Sequence, residues 1–144
     1  MSAEQLLLRK IYWMLFWGGC IVALAYTPNF FFDAMSWKKW WIDNGFHTLG
    51  GAYAFFFSRT LWRYAKLHYH IDMPFGGEVL IWVGGALAIG VFWEWYELIV
   101  DRYEVFILHI PSIMTYADNI GDLAFDTLGA LVAAVLLWRR SKKQ

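Results

Sequence analysis

Charge is scarce in this sequence. Asp, Glu, Lys and Arg supply 17% of the 144 residues, twelve basic against twelve acidic, so the formal net charge is zero. A soluble domain carries about 25% charged residues, and a nucleic-acid-binding surface needs a basic excess that this chain lacks. Cysteine is nearly absent. The single one, Cys20, lies in an apolar run, forms no intrachain disulfide and reads as a small buried hydrophobe, so it carries no message about redox compartment. Internal repeats, low-complexity tracts and Gly/Ser-rich linkers are missing too, which makes residues 1–144 one domain. No nucleophilic triad, phosphate-binding loop or cofactor motif stands out.

What the sequence has in plenty is apolar surface. The hydrophobic fraction is 60% and the aromatic fraction 21%, against about 45–50% apolar residues in a soluble domain. This composition predicts an integral membrane protein. Apolar runs predict membrane helices over roughly 11–27, 45–64, 79–100 and 118–138. The expected fold is therefore all-α, a bundle of four transmembrane helices. The first run has a competing reading: Arg9-Lys10, an apolar core and Ala23-Leu24-Ala25 together look like a signal peptide with a small-residue cleavage site. Between the first two runs, Asn29 to Trp41 is too polar to span and too aromatic for an ordinary loop, which predicts an interfacial segment on the membrane surface. Leu67–Gly77 and Asp101–Ala117 read as connecting loops, the first carrying His68 and His70.

The ionisable residues inside these runs fall into patterns. Asp118, Asp122 and Asp126 recur every four residues and continue as Gly129, Ala130 and Ala133, one stripe of a helix. In the second run, His47 leads Gly50, Gly51, Ala54 and Ser58. In the third, Ala86 and Gly90 lead to Glu94, with Glu97 close by. Small residues at this spacing allow close helix packing, and acids on the packing face of a membrane helix are a functional-site hypothesis by default. Phe55, Phe56 and Phe57 are expected to face lipid at least in part. Asp43 and Asp118 offer helix N-caps, and with Glu97 they would support the cluster from its edge.

Nine of the twelve Lys and Arg residues fall on one side of such a bundle: Arg9, Lys10, Arg59, Arg63, Lys66, Arg139, Arg140, Lys142 and Lys143, against Lys38, Lys39 and Arg102. The positive-inside rule then places both termini in the cytoplasm. Every embedded ionisable residue falls in the outer half. Asp126 lies roughly 12 Å below its helix start and Glu94 roughly 9 Å below its helix end, depths similar enough for contact.

The run Asp122-Leu123-Ala124-Phe125-Asp126-Thr127-Leu128-Gly129-Ala130 resembles the last-helix signature of VanZ-like membrane proteins, and more closely that of small YjdF-type inner-membrane proteins. Asp43-Asn44-Gly45-Phe46-His47 with Gly50-Gly51, and Trp93-Glu94 with Glu97, resemble two earlier segments of that type. Asp126 stands where VanZ proteins commonly have Asn. The resemblance covers roughly residues 40 to 135. It implies a multi-pass bacterial inner-membrane protein and at most an envelope role, without a reaction.

The residues themselves leave three functions open. In the first, the acids bond one another around a cationic His47, and the chain is a structural or accessory envelope component docking other membrane subunits. In the second, His47, Glu94, Asp122 and Asp126 hold a divalent metal ion of the Mn, Fe or Zn kind. Glu94, Asp122 and Asp126 would then be the candidate catalytic groups of a hydrolase acting on an outer-leaflet lipid or lipid-linked precursor. In the third, protons or a small ion move along the acid line. The expected partners are the lipid bilayer and possible membrane subunits, with no nucleic acid.

Overall fold

The computed structural model describes residues 2–31, 36–112 and 114–141. Four helices and no strand occur among them: α1 (Ala3–Phe31), α2 (Ser36–Tyr69), α3 (Phe75–Ile107) and α4 (Tyr116–Ser141). At about 1.5 Å per residue each exceeds the roughly 30 Å hydrocarbon core of a bilayer, so the helices are longer than the apolar runs that mark them. Segments within α1, α3 and α4, namely Ala3–Ala23, Phe75–Ile107 and Tyr116–Arg140, are long and apolar enough to cross a membrane. Helix α2 falls short on composition. It carries Asp43, His47, Arg59, Arg63, Lys66 and His68, and among the described residues it is the one helix that packs against all three others. Asn44, His47, Ser58 and Thr60 of α2 are buried. The polar groups of its middle thus face neighbouring helices, whereas Asp43, Arg63 and His68 toward its ends stay exposed.

The longer helices correct several boundaries. Residues 32–35 of the interfacial segment expected over Asn29–Trp41 lie outside the described residues, and the others are helical. Its first three residues continue α1 and its last six open α2, while the side chains of 24–40 are not described. Because α2 begins at Ser36, Asp43 lies two turns inside it and caps nothing. His68 is helical, not in a loop, and lies 2.7 Å from Glu4. His70 follows in the left-handed region (φ 54) and Ile71 N–H closes onto the Lys66 carbonyl at 3.1 Å, a Schellman-type stop. Asp118 does not cap α4 either. Its own N–H donates to the Thr115 hydroxyl at 3.1 Å, so Thr115 does what a capping residue does.

Asp101 was expected to open a loop, yet it lies inside α3 and is buried. The Ser112 hydroxyl lies 2.9 Å from both its carboxylate oxygens, and Arg102 contacts it at 2.8 Å. This pins the α3–α4 connection onto the end of α3. Replacing Ser112 by alanine removes a bond to a charged group, about 1.5–3 kcal/mol. Amide exchange at residues 108–110 and 112 should quicken while α2 and α4 keep their protection.

Association of membrane helices lacks a hydrophobic drive and rests on close packing and polar contacts. The bundle shows both. A Cβ at Gly51 would overlap the Asp126 carbonyl oxygen, and one at Gly129 would overlap that of Thr48. The α2 and α4 backbones thus touch at two glycines, one from each helix. Below this contact a small apolar core forms from Ala54, Phe55, Trp82, Ala86, Ala130 and Ala133. Phe55 is fully buried against Trp82, with ring centroids 6.0 Å apart, contrary to the lipid-facing expectation. Three successive helix positions fan over about 200°, and in α2 it is Phe55 that turns inward. Phe56 is the exposed one.

Candidate metal centre

Helical spacing carries the site. On α3 the buried residues are Trp82, Ala86, Gly90, Glu94 and Asp101. On α4 Asp122, Asp126, Gly129, Ala130 and Ala133 are buried, with Asp118 half-buried at the mouth. On α2, His47 is buried one turn before Gly51. The glycine contact between α2 and α4 therefore brings His47 against the aspartates. Gly90 admits the Asp126 carboxylate, because a Cβ there would stand 2.6 Å from Oδ2.

His47 is the hub. Its Nδ1 lies 3.4 Å from Asp126 Oδ1 and 3.9 Å from Glu94 Oε1. Its Nε2 lies 3.6 Å from Asp122 Oδ1 and 3.9 Å from Asp43 Oδ1. His47, Glu94, Asp122 and Asp126 are each 5 or 6% exposed. Both carboxylate oxygens of Glu94 are buried without a hydrogen-bond partner. One donor atom from each of His47, Glu94, Glu97 and Asp122 lies within 4.8 Å of the others. Asp43, Asp118 and Asp122 form a second such group, sharing Asp122 with the first. Asp43, outside the apolar stretch of α2, is half exposed. Partial desolvation pushes its carboxyl above the usual range, with His47 pulling it back and Asp118 adding to the rise.

The structure thus brings together all four residues expected as ligands, but not in equal positions. Glu97, expected at the edge, contributes a donor atom to the inner group. Asp126, expected as a ligand, lies outside that group and shares the Nδ1 side of His47 with Glu94. Glu97 was visible in the sequence only as an acid three residues after Glu94, a spacing that leaves two side chains on one face. Asp43 and Asp118, expected at helix ends, form the acidic mouth instead.

The family described as "Predicted membrane protein (DUF2238)" matches residues 5–143, a span that takes in all of the four helices but the first two residues of α1, and every residue of the site. The chain belongs to the DUF2238 family. No curated protein and no solved structure matches it. For this DUF2238 member the family agrees with the helical architecture in assigning it to the membrane, with the bilayer as its surroundings. The chemistry has to be read from the cluster.

The cluster holds no thiolate or thioether, so it is not a soft ligand set. One imidazole nitrogen and several carboxylate oxygens suit Mn, Fe or Zn, whereas Mg is less comfortable with the imidazole. Carboxylates this close repel one another in a low-dielectric interior. A divalent cation among them would offset that repulsion and give Glu94 a close partner.

Proposed function

We propose that this chain is a bacterial inner-membrane protein whose polar centre holds a divalent metal ion through His47, Glu94, Glu97 and Asp122. The observation that carries the reading is the Glu94 carboxylate, 5% exposed with neither oxygen hydrogen-bonded, inside a ring of donor atoms no more than 4.8 Å apart. A buried acid left without a partner costs several kcal/mol, and a bound cation removes that cost. Asp126, 3.4 Å from Nδ1 of His47 on the side that Glu94 also faces, would help to orient the imidazole, a role carboxylates often play beside metal-ligating histidines.

In this reading residues 45–64 of α2 form a fourth span and both termini are cytoplasmic, following the bias of Lys and Arg toward one side. The centre then lies in the outer half of the bilayer, with Asp43 and Asp118 leading into it from outside. A metal ion with an open position activates water, so hydrolysis of an outer-leaflet lipid or lipid-linked precursor is the reaction class within reach. The likeness of the Asp122–Ala130 run to YjdF-type and VanZ-like proteins supports an envelope role. Transport is disfavoured, because buried Phe55, Trp82, Ala86, Ala130 and Ala133 pack below the acids where an ion path would have to continue.

A structural reading has its own support in the 3.4 Å approach of His47 to Asp126 and in the α2–α4 glycine contact. Metal content separates the two. Protein purified from cells grown with Mn, Fe and Zn should hold about one divalent ion per chain, and Glu94→Gln should reduce this at least tenfold while remaining folded. Wild-type protein with no ion above the buffer blank would leave the cluster as a structural lock of an accessory subunit.

A further inference from the structure

Six carboxylates gather at the polar centre, those of Asp43, Glu94, Glu97, Asp118, Asp122 and Asp126. Among the described residues, His47 is the only Lys, Arg or His side chain that pairs with any of them, and it lies within 3.9 Å of four. Arg102, toward the same end of α3, is held by Asp101 at 2.8 Å. One divalent ion balances two of the six acids. The occupied centre therefore keeps a negative surplus.

That surplus stands on the way in. The core of Phe55, Trp82 and Ala86 closes the bundle below the acids. Above them Asp43 is half exposed, and a carboxylate oxygen of Asp43, of Asp118 and of Asp122 lie within 4.8 Å of one another. A molecule from the outer face thus passes Asp43 and Asp118 before it reaches Asp122 and the inner group. A cleft lined by one sign of charge, with low-dielectric walls, focuses its field on whatever enters. An anion is repelled along this route, and an uncharged group is not.

We propose that the reacting group this centre admits is uncharged, a carboxylic ester or amide of an outer-leaflet lipid rather than a phosphoester, and that Asp43 and Asp118 set this preference. The inference rests on the metal centre and names its substrate class. Hydrolysis joins the water oxygen to the carbonyl carbon and breaks that carbon's bond to the leaving oxygen or nitrogen. One water proton goes to the leaving group, and the other is lost from the new acid. The product is a carboxylate, which the same mouth repels.

Two probes of nearly one shape isolate the charge. Trimethyl phosphate is neutral, and dimethyl phosphate is an anion. Full-length protein loaded with manganese in an uncharged detergent should speed the phosphorus NMR relaxation of the neutral probe at least about tenfold more than that of the anion. Asp43→Asn/Asp118→Asn should bring the two within about twofold by speeding dimethyl phosphate alone. Asp43→Asn by itself should close part of the gap. Salt at about 1 M, where the screening length falls to about 3 Å, should narrow it in wild type. Equal relaxation of both probes by wild type, a gap that survives both variants, or no enhancement of either with manganese bound would each overturn the proposal. Wild-type protein that binds no manganese by electron paramagnetic resonance would instead overturn the centre itself, and this inference with it.

Discussion

Gly129→Leu should remove the folded protein from the membrane. Leucine is the better membrane residue by transfer energy, so a helix that merely faced lipid would tolerate it or gain from it. Here a Cβ alone would overlap the Thr48 carbonyl oxygen and stand 2.9 Å from the Ala52 backbone nitrogen. Neither is a side chain that can rotate away. Overpacking a closed site costs about 1–3 kcal/mol and occasionally more, and a clash against backbone belongs at or above the top of that range. Relief requires α2 and α4 to separate, which also draws His47 away from Asp122 and Asp126. Gly51→Leu should behave alike, because Gly51 meets the Asp126 carbonyl from the other helix. Gly19→Leu is the control, an exposed position with nothing within 4 Å of a Cβ. Size-exclusion profiles in mild detergent should show the first two variants aggregated or degraded and the third unchanged. A Gly129→Leu protein melting with wild type would mean that the α2–α4 contact is not what holds the bundle.

His47→Ala should abolish stabilisation by divalent metal. A ligand that binds only the folded state adds about 4 kcal/mol at a thousandfold excess over its dissociation constant, so Mn or Zn should raise the melting temperature of wild-type protein by several degrees, with chelation reversing the gain. Removing the imidazole takes away the one nitrogen donor and the group that Asp126, Glu94, Asp122 and Asp43 all face within 3.9 Å. The variant should melt at one temperature with metal or chelator. Magnesium should shift even wild type less than manganese does. A metal-dependent rise that survives in His47→Ala would place the ion elsewhere, for instance at Asp43 and Asp118.

Much of this was legible in the sequence because helical geometry is rigid. A carboxylate every four residues can only form a stripe, and small residues continuing it can only be a packing face. Asp122, Asp126, Gly129 and Ala133 are accordingly buried together. Antiparallel helices of similar length then set Glu94 and His47 at the same level as those aspartates. Residues whose environment depends on a neighbour's position were not legible. Asp118 and Thr115 are both good capping residues, and only the helix start distinguishes them. Phe55 has the same side chain as Phe56, and which of them meets Trp82 is decided by the rotation of α2. Asp101 looked like the end of a helix, since a buried aspartate is credible only once Ser112 and Arg102 are known to bind it. Glu97 read as an edge residue until the inner donor group included it. The isolation of α1 on α2 left no trace in an apolar pattern that looks alike whether a helix faces lipid or protein.

Crystals of the full-length protein grown with manganese, with diffraction collected at the manganese edge, give the most direct test. The proposed centre requires an anomalous peak about 2.0–2.3 Å from a nitrogen of His47 and from carboxylate oxygens of Glu94 and Asp122. An imidazole bonded directly to Asp126 and Asp122, with no anomalous signal between it and Glu94, would contradict the metal centre.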